Sequence, residues 1–68
     1  MGSQEKVGKN IKKAREKIGL TQEQVAEKAG IHVSYYSRIE RGVVNPSLEV
    51  LESIAKVLKV KSSEILPF

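Results

Sequence analysis

At 68 residues the sequence is expected to form a single domain, 1–68. A domain of that size buries only about 60% of the surface its unfolded chain exposes, which leaves little room for a cleft with converging catalytic groups. With no Cys and a single His, His32, it offers no disulfide, no metal-binding cluster and no cysteine nucleophile, so neither an enzyme nor a metal or cofactor site is expected. Lys and Arg number 12 against 8 Glu, Asp being absent, and Lys6, Lys9, Lys12, Lys13, Arg15 and Lys17 against Glu5 and Glu16 place the whole excess of +4 in the first twenty residues. That concentration suits a polyanion, nucleic acid above all, or else a solvated lysine face. No apolar run approaches the ~20 residues of a membrane span, and the opening MGSQEKVGKN lacks the apolar stretch of a secretory signal. The expectation is a cytoplasmic chain with no membrane partner.

The first helix is predicted from about Gln4 to Ile18, since Val7, Ile11, Ala14 and Ile18 recur four, three and four residues apart and Gly19 supplies a stop. Lys6, Lys13 and Lys17 form a stripe on another side of it, while Arg15 flanks the apolar face. The second helix opens on Thr21, which with Gln24 has the spacing of a capping box, with Leu20 and Val25 placed as a hydrophobic staple; it ends at Gly30. After only Gly30, Ile31 and His32 a third helix runs from Val33 to Arg41 and stops at Gly42, so two short helices must turn sharply. The fourth follows Asn45 and Pro46, with Asn45 or Ser47 as its cap and Leu48, Leu51, Ile54, Ala55 and Leu58 as its buried stripe. A last turn around Ser62 to Leu66 closes the chain, and nothing alternates with the period of a strand. The fold class is all-α, with five helices.

Chemistry concentrates in the third helix. Its wheel sets His32, Tyr35, Tyr36 and Ile39 on one side and Ser34, Ser37, Arg38 and Arg41 on the other, an outer face with donors and no acid. Glu40, beside the apolar side, needs a partner, because an unpaired buried charge costs several kcal/mol, roughly. Arg15 is the obvious one: it also flanks an apolar face, and its planar fork holds a carboxylate through two hydrogen bonds. A helix of small polar residues and arginines, presented by a capped helix across a short turn, fits the major groove of DNA, where Arg reads guanine. The free N–H groups at the start of the second helix, with the Gln22 amide, suit a backbone phosphate.

The stretch TQEQVAEKAGIHVSYYSRIERGVVNPSLEVLESIAKVL resembles the helix-turn-helix domain of the XRE family, the group of the lambdoid phage repressors and Cro, and the likeness extends from about Val7 to Leu66. Val25, Ala26, Ala29, Gly30, Ile31, Tyr36 and Ile39 match that family's core and turn pattern, and Arg15 and Glu40 match its buried ion pair. The resemblance implies a five-helix, lambda-repressor-like DNA-binding fold in which helices two and three form the helix-turn-helix. It also implies that Gln22 and Arg41 meet phosphates and that Val33, Ser34 and Arg38 face base edges, with His32 and Ser37 at the edge of that contact. Tyr35 is read either as a core edge or as a hydroxyl reaching a phosphate.

Four positions depart from the family pattern. Val43 and Val44 stand where relatives often carry basic residues, which leaves phosphate contact from that loop to backbone N–H groups and Asn45 and leaves two valines that could instead touch a partner. Lys59 replaces the usual glycine after the fourth helix, at a strain of about 1 kcal/mol. Val33 at a base-facing position offers only a methyl contact, suited to thymine.

These residues point to a sequence-specific regulator of transcription that binds double-stranded DNA, without catalysis, cofactor or small-molecule ligand. A homodimer on an inverted repeat is expected, through an apolar C-terminal surface of Ile65, Leu66 and Phe68. The rival reading is a protein-interaction module on the same fold, antitoxin-like or coactivator-like, touching its partner through Val43, Val44, Ile65 and Phe68.

Overall fold

Local signals in the chain set five helices in a computed structural model that describes residues 2–67: α1 (Ser3–Lys17), α2 (Gln22–Ala29), α3 (Val33–Arg41), α4 (Leu48–Leu58) and α5 (Ser62–Ile65). There is no strand among the described residues. At the start of α2 the Thr21 hydroxyl accepts from the Gln24 N–H at 3.1 Å, while the Gln24 side chain accepts from the Thr21 N–H at 2.8 Å, so two of the helix's orphan donors are satisfied reciprocally. Ser47, not Asn45, caps α4, its hydroxyl accepting from the Val50 N–H at 3.2 Å. Left-handed residues end α2, α3 and α4: Gly30 and Gly42 at φ 75°, and Lys59, which takes the same region at φ 59° after α4 despite its side chain.

The apolar stripes of these helices meet in one core of Val7, Ile11, Val25, Ala26, Tyr36, Ile39, Leu51, Ile54, Ala55, Leu58 and Ile65. Around it pack half-buried side chains, among them Ala14, Leu20, Ile31, Val44 and Leu66. Four expectations need correction. Leu48 is 60% exposed and lies outside the buried stripe: its phase is right, but in the first turn of α4 no other element lies over it. His32 does not share a helical face with Tyr36 and Ile39, because it is the extended residue before α3 (φ −70°, ψ 143°) and is exposed. Val44 is not a free surface valine but packs on the core, whereas Val43 is 62% exposed. Ile65 is 1% exposed, because α5 folds back so that this side chain completes the core, and its carbonyl accepts from the Asn10 amide of α1 at 3.0 Å. The C-terminal surface expected of Ile65, Leu66 and Phe68 therefore loses Ile65; Leu66 is half-buried, and Phe68 lies outside the described residues.

α1 and α3 approach each other at backbone distance. A Cβ on Gly8, inside α1, would stand 2.4 Å from the Glu40 carbonyl oxygen and 2.6 Å from that of Ile39. One on Gly42, just past α3, would stand 2.7 Å from the Glu5 Cα. Hydrogen atoms alone fit at both places, and the close seat fixes where α3 lies against α1.

Candidate nucleic-acid interface

α3 is held from behind. Glu40 turns inward from the last turn of α3, its side chain 3% exposed, and four donors converge on its two oxygens. Arg15 of α1 gives Nε to Oε2 at 2.7 Å and Nη2 to Oε1 at 3.2 Å, so the fork is bidentate. Gln22, the first residue of α2, donates its side-chain amide to Oε1 at 2.9 Å, and the Tyr36 hydroxyl, one turn back on α3, donates to Oε2 at 2.5 Å. Arg15 also donates Nη1 to the Leu20 carbonyl at 2.9 Å, in the turn before α2. One carboxylate thus ties α1, α2 and α3 together.

The protonation states follow from this geometry. Burial pushes the Glu40 carboxyl up, but the hydrogen bonds from Arg15, Tyr36 and Gln22, with the Arg15 charge, outweigh it and hold it below the ordinary carboxylate value. The hydrogen bond to Glu40 raises Arg15 against the opposing effect of burial, and burial followed by the same carboxylate pushes the Tyr36 phenol far up. The network is a carboxylate, a guanidinium and a neutral phenol. Among the described residues no buried side-chain nitrogen or oxygen lacks a partner.

The opposite face of α3 looks outward. Val33 is 41% exposed, Ser34, Arg38 and Arg41 are exposed, and Ser37 and Tyr35 are half-buried at its margins. Arg38 and Arg41 also lie in the last turn, where cations complement the helix dipole. Asn45 is exposed in the loop after α3. Gln22 is half-buried beside α3, and its bond to Glu40 occupies one amide hydrogen, leaving the other and the carbonyl oxygen for an outside group. The site thus gathers Val33, Ser34, Ser37, Arg38 and Arg41 on one helix, with Gln22 at the start of α2 and Asn45 in the following loop.

Sequence reasoning missed three parts of this arrangement, of which the Gln22 bond to Glu40 had no local signal. The Tyr36 bond to Glu40 was signalled by their spacing of four on one helix, and Gly8 by its presence inside a helix, where Gly costs about 1 kcal/mol against Ala unless packing requires it. Among the described residues no three His, Asp or Glu side chains come together to hold a metal, and no helix is long and apolar enough to cross a membrane.

Comparison with known proteins gives one family. A helix-turn-helix family model matches residues 11–65. The immunity repressor protein of Bacillus phage phi105 is 47% identical over 60 residues, which cover 88% of this chain and 42% of that protein. The crystal structure of SinR, the master regulator for biofilm formation, in complex with DNA is 42% identical with a TM-score of 0.82, over 87% of this chain and 98% of that one. The restriction-modification controller protein C.AhdI from Aeromonas hydrophila superimposes with a TM-score of 0.89 at 32% identity, over 93% of this chain and 96% of that one. The chain spans only part of such relatives' length, 42% of the phage repressor and 55% of Bacillus subtilis SinR. With its five helices, its α2–α3 turn and its Arg15–Glu40 pair, the chain belongs to the XRE-type helix-turn-helix family, a class of transcription regulators.

Proposed function

We propose that the chain binds double-stranded DNA in a sequence-specific manner and regulates transcription, with α3 in the major groove. The observation that carries this reading is the outer face of α3, exposed, free of carboxylate and braced from behind by the Glu40 network, in a chain 42% identical to a protein crystallised with DNA. Arg38 reads a base by bidentate hydrogen bonds, Ser34 adds a hydroxyl and Val33 a methyl contact; a short side chain such as serine lets the helix backbone come close. Gln22, Ser37, Arg41, Asn45 and Tyr35 meet phosphates and fix the register, Gln22 with the amide hydrogen that Glu40 leaves free. No side chain performs catalysis, and the chain acts in the cytoplasm, where the DNA is.

A selection from random duplexes tests this by recovering a preferred site, and binding to that site should weaken steeply with salt as phosphate contacts release counterions. On the recovered site Arg38→Ala should cost about 1–3 kcal/mol and relax preference at one base pair, whereas Lys13→Ala should change binding little and at no particular base. Recovery of no preferred sequence, or equal binding of all sites by the parent and Arg38→Ala, would refute the reading in favour of a protein-interaction module.

A further inference from the structure

The lysine stripe of α1 stands on the side of that helix turned from α3. α1 meets α3 through Glu5, Gly8 and Arg15, and at about 100° per residue Lys6, Lys13 and Lys17 lie roughly 140–180° around the helix from Gly8. All three are exposed, so half of the six basic side chains in the first twenty residues face away from α3. Two of the three, Lys13 and Lys17, border an open groove of about 570 Å³ between α1 and the turn from α4 to α5. Its floor is apolar, made by Ala14, Ile18, Leu58 and Val60, and Ile18 is 42% exposed there. Its rim is Lys13 and Lys17 on one side and Lys59 on the other. Glu64, the one carboxylate of the described lining, is engaged by the Lys61 N–H at 2.7 Å.

We propose that this groove docks an acidic amphipathic peptide segment of another protein. Its apolar side chains cover Ile18 and Val60, and its carboxylates face Lys13, Lys17 and Lys59. Charge complementarity selects this occupant. A second copy presenting the same face would set lysine against lysine, and a second duplex would leave the apolar floor uncovered, since phosphates gain nothing from it. Exposed ion pairs are individually weak, so affinity comes from covering the floor, while the rim supplies selectivity and a fast approach. Because the groove lies on the far side of α1 from α3, the peptide and a duplex on α3 are held together, and the domain carries a partner to the site it reads.

The test is a random peptide library selected on the full chain, with the recovered peptides counter-screened against two folded variants. Recovered peptides should carry Asp or Glu around Leu, Ile or Phe, and a synthetic copy should shift the amide resonances of Ala14, Ile18 and Val60 but not those of Ser34 and Arg38. Lys13→Glu with Lys17→Glu should weaken that peptide by about tenfold, the loss of two or so exposed ion pairs turned to repulsion. Ile18→Ser, which leaves every charge in place, should also weaken it while leaving duplex binding unchanged. The proposal fails if no peptide enriches, if the enriched ones are not acidic, if both variants bind them as the parent does, or if the groove proves to be covered by a second copy of the chain. Duplex binding is scored separately, so loss of the peptide and loss of the DNA reading are distinguishable.

Discussion

Glu40 and Lys59 show how much a single side chain decides in a chain this small. Removing Glu40 leaves the Arg15 guanidinium, the Tyr36 hydroxyl and the Gln22 amide without their shared acceptor, so Glu40→Ala should lose about 3–5 kcal/mol in chemical denaturation. Replacing the pair together, Arg15→Met with Glu40→Leu, should recover part of that. The same carboxylate sets an acid dependence. Its folded value lies below the ordinary 4.5, so the stability it supplies is complete above that pH and is lost as the pH falls through the lowered folded value. Denaturation of Glu40→Gln over the same acid range should therefore show a shallower fall than that of the parent, and parallel curves would place the acid sensitivity elsewhere. Lys59 works in the other direction. Held at φ 59° with its side chain exposed, it should give way to glycine with a gain of about 0.5–1 kcal/mol, measured as a higher denaturation midpoint.

Among the elements, the pair α1 and α3 has the tightest fit. Alanine inside a helix ordinarily adds about 1 kcal/mol over glycine, yet Gly8→Ala should lose about 2 kcal/mol, because its methyl would meet two backbone carbonyls that have nowhere to move without shifting α3. An unchanged melting temperature would mean that α1 slides freely on α3. This is also the scale at which legibility in the sequence divides. The caps at Thr21 and Gly30, the bounds of α3 and the stripe of Leu51, Ile54, Ala55 and Leu58 are local, and a spacing of three or four residues declares them. The Arg15–Glu40 contact joins residues 25 apart, yet it was readable because each charge sits at the border of an apolar face and each needs the other. The exposure of Leu48 and the burial of Ile65 were not readable, since periodicity gives the direction of a side chain but not whether another element reaches that far along the helix. The bond from Gln22 to Glu40 was hidden for a similar reason: it depends on how the α2–α3 turn brings two helix ends together.

For the molecule as a whole, the number of chains on a DNA site is the open quantity. On the DNA-binding role proposed above, one recognition helix covers a few base pairs, and two chains related by a two-fold axis double the phosphate contacts toward the ~10⁻⁸ M or tighter affinities that specific DNA binders reach. The saturated complex on a recovered site should have the mass of two chains, and the site should be an inverted repeat with half-site centres about one helical turn apart. One chain on a site without such a repeat would rule the dimer out. With Ile65 committed to the core, any dimer surface at this end has to be built around Leu66 and its surroundings.

The division of α3 into a braced inner side and a free outer side has a bearing on how such a protein changes over time. Among the described residues, no side-chain hydrogen bond inside the protein involves Ser34, Arg38 or Arg41, and Val33 stands outside the core. Mutations at these positions carry little penalty in folding, because surface substitutions away from such networks usually stay within about 0.5 kcal/mol. On the DNA-binding role proposed above, a lineage can thus rewrite the lettering on this helix while Glu40, Tyr36, Gly8 and Gly42 keep the page flat, so that divergence in the sites recognised need not wait for divergence in the scaffold.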